Sequence, residues 1–206
     1  MRNALNMLES WRPQSQRGAM FGLDARIALA IFAAISLVGG YFGLGKITTA
    51  NNAAFLKELR AYENAIMQIQ TDLGVFYQFA IDGSDGIKDF NAIETATGNI
   101  LARYQPRWNG PYIDGIRRDH PVYGAYTVAY RQADYTTACN ISNDCFVWLV
   151  IDGVPASVFA FVNRYVDEDS GLDPEGTPIS EGRVRSGGTT DPRELRYRTN
   201  AVRRAG

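Results

Sequence analysis

The sequence contains few of the side chains that metal sites and many active sites require. Among its 206 residues there is one histidine, His120, and there are two cysteines, Cys139 and Cys145. Zinc sites are built mainly from these two residue types, so zinc has too few good ligands here. The sequence also has no nucleophile elbow, phosphate-binding loop or catalytic carboxylate pair in a suitable context. We therefore expect a protein that is not an enzyme.

The sequence also lacks an excess of charge of either sign. Its 21 Lys and Arg residues nearly balance its 22 Asp and Glu residues, which gives a formal net charge of −1. This balance argues against nucleic acid as a partner of the whole protein. The final segment, 183–206, is nevertheless basic, and its arginines are Arg183, Arg185, Arg193, Arg196, Arg198, Arg203 and Arg204. We interpret it as a basic edge that faces solvent or another subunit, with a DNA-binding groove as the alternative.

One apolar run stands out, the nineteen residues from Ile27 to Gly45. As a helix it would be about 28 Å long, close to the thickness of a bilayer's hydrocarbon core. The preceding segment, 1–19, is short and basic, and basic residues beside a membrane span stay in the cytoplasm. The pattern predicts a single-pass protein of the inner membrane whose chain beyond Lys46 is periplasmic.

The start of this run resembles the class III signal of type IV pilins and type II secretion pseudopilins. Basic residues are followed by a small residue, then by Met20 and Phe21, an acid and the long apolar helix. In that family a prepilin peptidase cuts after a small residue, usually Gly, and methylates the new N-terminus. An acid is then fifth in the mature chain. Cleavage between Ala19 and Met20 makes Asp24 the fifth residue, whereas cleavage after Gly18 makes it the sixth.

The resemblance implies a structural subunit that polymerises through its N-terminal helix into a type IV pilus or a type II secretion pseudopilus. Its partners would be further copies of itself, the prepilin peptidase, an inner-membrane assembly platform and membrane lipid. No cofactor would be required. Within the filament Asp24 would pair with the terminal ammonium of an adjacent subunit, because an unpaired buried charge is costly. The alternative is a single-span anchored protein with an extracytoplasmic binding domain that does not polymerise.

The expected fold is α+β, with a long helix over 20–76, its transmembrane half at 27–45, and a small antiparallel sheet in a head at 77–206. Apolar residues in the second half of the helix recur at intervals of three, four or seven: Leu56, Leu59, Ile66, Ile69 and Leu73. The charged residues Lys57, Glu58, Arg60 and Glu63 are assigned elsewhere on it. We predict a sheet of three to five strands, with strands at 122–131 and 146–151 and a final edge strand at 195–198. Further helices are predicted at 88–104 and 155–168.

Two short motifs predict local constraints in the head. Five residues, including Asn, Ser and Asp, separate Cys139 from Cys145, which permits a tight turn. In an exported domain such a pair favours a disulfide, with two free thiols as the alternative. In the segment WNGPY, Trp108 and Tyr112 bracket Gly110-Pro111. This arrangement is typical of a rigid turn whose two rings pack on the core.

The acidic loop 167–181 supplies oxygen ligands of the kind that calcium prefers. We consider Asp167, Asp169, Asp173 and Glu175 as candidate calcium ligands. Some pseudopilins hold calcium in a C-terminal acidic loop, and the resemblance extends that expectation to this chain. The alternative is a solvated acidic loop that pairs with the arginines after it. The spacing is not that of an EF-hand.

Overall fold

The computed structural model of this chain describes residues 17–82, 86–97, 99–140, 142–168, 182–188 and 191–205. The α-helices are α1 (Arg17–Leu73), α2 (Tyr77–Ala80), α3 (Gly86–Asn91) and α4 (Ala156–Val166), with one 3₁₀ turn at Gln105–Arg107. The strands are β1 (Tyr126–Arg131), β2 (Cys145–Val154), β3 (Val184–Ser186) and β4 (Arg193–Arg203). The α+β class and the small antiparallel sheet are thereby confirmed.

The chain divides into two compact units, Met1–Ala50 and Asn51–Gly206. Helix α1 covers the segment for which a membrane span was predicted, Ile27–Gly45. Among the described residues, however, no helix is long and apolar enough to cross a membrane. The side chains of residues 38–46 lie outside the description, and those of residues 25–37 are exposed. The span and the inner-membrane location therefore stay predictions.

The second unit, hereafter the head unit, is built around the last part of α1. The five apolar residues whose spacing predicted a buried face are all at most 6% exposed: Leu56, Leu59, Ile66, Ile69 and Leu73. They pack in one hydrophobic core with residues of the inner sheet face, among them Val147, Leu149 and Tyr197. Burying such side chains contributes about 1.5–3 kcal/mol each, so this stripe fixes the helix to the sheet.

All strand pairs in the sheet are antiparallel, and the strand order is β1-β2-β4-β3. The prediction that the last strand lies at an edge is wrong, because β4 pairs with β2 on one side and with β3 on the other. Its partner β2 is ten residues long and pairs with β4 from Cys145 to Val154, with register shifts after Phe146 and after Ile151, so β4 is interior. The arginines of 193–203 therefore lie in the middle of the sheet and not on a solvated edge.

Two helix predictions need correction. The helix expected over 88–104 is wrong beyond Asn91, where α3 ends. Downstream, the amide of Asn99 donates to the carbonyl oxygens of Thr95 and Thr97, and such local bonds compete with helical ones. Helix α1 ends at Leu73 rather than near residue 76, because Gly74 follows in the left-handed region at φ +67°. The helix predicted at 155–168 is confirmed as α4.

The WNGPY turn holds both of its rings against the core, as predicted. Trp108 donates its indole N–H to the carbonyl of Ala92 at 3.1 Å, and the Tyr112 hydroxyl donates to Asp72 at 2.7 Å. The two rings meet edge to face at 5.7 Å. A Cβ on Gly110 would lie 2.8 Å from the Tyr112 ring and would also clash with Trp108, so the turn requires glycine at this position.

The predicted disulfide between Cys139 and Cys145 is confirmed, and no cysteine is free. It links the connection after β1 to the first residue of β2, where Cys145 is fully buried. Closing so short a loop in the unfolded chain is worth about 2 kcal/mol.

We expect dithiothreitol to lower the free energy of unfolding of the head unit by about 2 kcal/mol. Urea unfolding of the full chain, followed by tryptophan fluorescence with and without reductant, measures the change. In a Cys139→Ser/Cys145→Ala variant the reductant should have no effect. A variant that still responds to reductant would show that the loss arises elsewhere.

Candidate functional site

The residues assigned to processing and assembly lie in the first turns of α1. Gly18, Ala19, Met20 and Asp24 all have helical backbone, and their side chains are outside the description. The cleavage site and the role of the Asp24 carboxylate therefore stay predictions. The expected pairing of Asp24 with the terminal ammonium of an adjacent subunit rests on the sequence alone.

The acidic loop is described only at its start. Both oxygens of Asp167 accept from the backbone N–H of Arg183, at 2.8 and 2.9 Å, and Oδ2 also accepts from Val184 N at 2.8 Å. The carboxylate thus connects the end of α4 to the first residue of β3. The other three predicted calcium ligands, Asp169, Asp173 and Glu175, lie outside the described residues. Within the described part of the chain no group of three His, Cys, Asp or Glu side chains could hold a metal ion.

A buried carboxylate that the sequence analysis assigned to the polar side of α1 is the centre of a hydrogen-bond cluster. The side chain of Glu63 is only 7% exposed. Its carboxylate accepts from Arg183 Nη2 at 2.5 Å, from the Asn200 backbone N–H at 2.7 Å and from the Tyr197 hydroxyl. Burial, and next the hydrogen bond to Glu63, raises the pKa of Tyr197, so this phenol stays neutral. Helix α1 is thereby attached to β4 and to the residue that precedes β3.

Arg183 belongs to both of these arrangements. Its backbone N–H binds Asp167, while its guanidinium binds Glu63, the Tyr197 hydroxyl and the carbonyl oxygen of Arg198. Three elements, α1, α4 and β4, therefore converge on one residue. Hydrogen bonds to charged groups are worth about 1.5–3 kcal/mol, more than neutral ones. This convergence gives Arg183 a structural role and explains why a basic residue stands at the beginning of the C-terminal segment.

The outer face of the sheet, on the side opposite the core, carries four half-buried arginines: Arg131, Arg185, Arg196 and Arg198. We call these four side chains the arginine face. They alternate along the strands with the inward-facing residues, as the two-residue period of a strand requires. Seven arginines were noted in 183–206, but the placement of three of them beside Arg131 on one face was not predicted.

Three of the four guanidinium groups of this face lie over aromatic rings. Arg198 is 4.9 Å from the ring centroid of Phe146 and 5.8 Å from that of Trp148, and Arg185 is 5.7 Å from the Trp148 centroid. Arg196 lies 4.1 Å from the Tyr135 ring. Cation–π contacts of this kind are worth about 0.5–1 kcal/mol or more when partly desolvated. The arginines thus cover Trp148, which is fully buried.

Like charges crowd this face. The pKa of Arg198 is lowered, first by burial and then by repulsion from Arg185 and Arg183. Some compensation comes from Glu194, which forms an ion pair with Arg196. The guanidinium of Arg198 donates to a backbone carbonyl, that of Ala133, at 3.4 Å. The face therefore keeps a net positive charge even though the whole chain is nearly neutral.

His120, the only histidine, is part of a turn. Its Nδ1 accepts from the backbone N–H groups of Val122 and Tyr123, each at 3.2 Å, and its ring stacks on that of Tyr123 at 4.3 Å. Burial lowers the pKa of His120, so the neutral ring that accepts these bonds is favoured. These contacts give His120 a structural role in the turn.

A groove of about 330 Å³ lies in the head unit between α1 and α4. Its lining consists of Asn52, Ser157, Ala160, Phe161, Arg164 and Tyr165. Nothing in the described residues identifies an occupant for it.

Comparisons with models of known protein families, with curated proteins and with solved structures find no match. A function for this chain has to be argued from its own residues.

The features that sequence reasoning missed are the Glu63 cluster and the arginine face. The first had a signal, because Glu63 follows Leu59 by four residues and precedes Ile66 by three, which places it on the apolar stripe.

Proposed function

We propose that this protein is a pilin-like subunit that polymerises through its N-terminal helix into a type IV pilus or a type II secretion pseudopilus. The observation that carries the proposal is helix α1, which begins at Arg17, beside the prepilin-type signal, and continues to Leu73 in the core of the α+β head unit. One helix thus contains both the proposed assembly segment and the element on which the head is built.

The composition of α1 changes along its length in a way that suits this role. Up to Gly45 the sequence is apolar on every side after Arg26, whereas beyond Asn51 only one stripe is apolar and buried. A helix that is apolar all round needs an apolar environment, which a bilayer supplies before assembly and a bundle of identical helices supplies afterwards. A helix with one apolar stripe needs a folded domain on one side only.

Asp24 would supply the specificity of assembly. A carboxylate near the start of an apolar helix costs free energy unless it meets an opposite charge. The new terminal ammonium of an adjacent subunit would be such a charge, and a subunit in the wrong register would leave both groups unpaired. Pairing of this kind selects register, which is the best-attested use of a buried ion pair.

The test is the mass of the N-terminal peptide of the protein isolated from membranes of its native host. We expect a peptide that starts at Met20 with one added methyl group, or at Ala19 if the cut follows Gly18. The prepilin peptidase of that host should be required for the shorter form. An intact Met1 start would overturn the proposal and would favour the anchored binding protein that does not polymerise.

A pair of variants then separates assembly from processing. Asp24→Ala should be processed and yet absent from sheared filaments, because its partner charge would be left unpaired. Asp24→Glu keeps the carboxylate and should still be incorporated. Equal incorporation of the Ala and Glu variants would remove Asp24 from the mechanism.

A further inference from the structure

The arginine face brings four positive side chains together on the outer side of the sheet. Its four arginines share the face with the carboxylates of Glu194 and Asp152, which leaves a net charge of +2. Arg196 and Arg198 are two residues apart on β4, or about 6.6 Å, and Arg185 is the register partner of Arg196 on β3. The positive groups are therefore held at close and fixed separations on rigid strands.

What this face lacks decides which partner it fits. Protein interfaces usually have an apolar core, often aromatic, from which charged residues are depleted. Here Trp148 is fully buried beneath guanidinium groups and the Tyr135 ring. The half-buried rings of Tyr135 and Phe146 each have a guanidinium over them, so the aromatic surface of this face is covered by charge. The same cover leaves Trp148 inaccessible for stacking on an unpaired base and for insertion into a lipid surface.

A phosphate backbone needs none of these features. It is bound by charge and by hydrogen bonds from side chains such as arginine, whose planar group can contact a phosphate through two N–H donors. Cation–π contacts hold three of the guanidinium groups on rings, and Arg185 and Arg198 each also donate an N–H to a backbone carbonyl, of Asp134 and Ala133. This restraint reduces the side-chain entropy lost on binding. The arginine face thus has the groups for phosphate contact, while its rings are covered and do not offer a stacking surface to an unpaired base.

We infer that the arginine face binds the phosphate backbone of duplex DNA without sequence preference, through Arg131, Arg185, Arg196 and Arg198. This function goes beyond the proposed filament subunit and does not depend on it. It also revises the expectation drawn from net charge, because a near-neutral chain can carry a positive face when its acids lie elsewhere.

The test uses the full chain in a non-ionic detergent and a fluorescent 20-base-pair duplex of random sequence. Four phosphate contacts predict that log K falls with log salt at a slope of about −3.6, which is about a 150-fold loss of affinity between 50 and 200 mM salt. In an Arg185→Gln/Arg198→Gln variant the slope should fall to about −1.8 and the same loss to about 12-fold. Duplexes of different sequence should bind equally.

Arg103→Gln is the matched control. Arg103 is exposed, lies outside the sheet and also stacks on an aromatic ring, that of Tyr104 at 4.9 Å. Arg103→Gln changes the net charge by one, as each substitution on the face does, and it should leave the slope of log K against log salt unchanged. If Arg103→Gln lowers the slope by half as much as the double variant does, binding depends on total charge and the inference is wrong.

A second variant keeps the inference testable if the double variant does not fold. Ala129 is half-buried on β1 and is the register partner of Trp148, so Ala129→Glu adds a carboxylate to the face and removes no arginine. We expect weaker binding and a smaller slope. No binding of wild-type protein to the duplex at 50 mM salt would overturn the inference, as would binding only to vesicles of phosphatidylglycerol.

Discussion

Replacing Glu63 by alanine should lower the free energy of unfolding by about 3 kcal/mol. The substitution removes the acceptor of three hydrogen bonds and leaves the Arg183 guanidinium and the Tyr197 hydroxyl without their carboxylate. Removing one partner of a buried ion pair typically costs about 3–5 kcal/mol. We take the lower end of that range because the Arg183 side chain is 26% exposed and can regain some hydration. Urea unfolding of the full chain, followed by tryptophan fluorescence, measures the loss.

Glu58→Ala is the control for this substitution, because it removes a carboxylate from the same helix. Glu58 is half-buried and accepts from the Tyr62 hydroxyl at 3.0 Å, so we expect a loss of only about 1 kcal/mol. Glu63→Gln should lose less than Glu63→Ala, since the amide keeps one oxygen to accept from Arg183 and Asn200 while it gives up the charge of the carboxylate. If the Glu58 and Glu63 variants lose the same stability, the cluster does not hold α1 to the sheet.

The difference between Glu58 and Glu63 also illustrates how far the sequence determines this fold. Helical spacing identified the stripe from Leu56 to Leu73 correctly, because burial follows the period of the helix. The same spacing places Glu63 on the stripe, yet its charge argued for the polar side. What makes its burial tolerable is a set of donors from β4 and from Arg183, more than a hundred residues away in sequence. No local pattern contains that information.

The sheet shows the same limit for β4. Its residues alternate between buried and half-buried from Arg193 to Tyr197, which the sequence indicated through the alternation of Leu195 and Tyr197 with Arg196 and Arg198. Alternation identifies a strand and its buried face, but it does not say how many neighbours the strand has. The interior position of β4 depends on pairing with both β2 and β3. The arginine face arises from that pairing, which brings Arg185 beside Arg196 and sets Arg198 opposite Trp148.

Gly182→Ala should lower the free energy of unfolding by about 3 kcal/mol. Gly182 lies two residues before the first residue of β3. Gly182 has φ +85°, a conformation that costs an L-residue about 1–2 kcal/mol. A Cβ there would also lie 2.5 Å from Oδ2 and 2.8 Å from Cγ of Asp167. The carboxylate would have to move away from the backbone N–H groups of Arg183 and Val184, and the contact between α4 and β3 would weaken.

Gly188→Ala is the matched control, at the other end of β3. A Cβ on Gly188 would meet nothing within 4 Å, and we expect a change of no more than about 0.5 kcal/mol. Urea unfolding of the full chain compares the two variants, and Asp167→Asn provides a third measurement. If Asp167 acts mainly through these backbone bonds, Asp167→Asn should lose part of the same stability in the presence of EDTA. If Asp167→Asn is less stable than the wild type only when both are measured with calcium, the carboxylate acts mainly as a metal ligand. The backbone contacts would then be secondary.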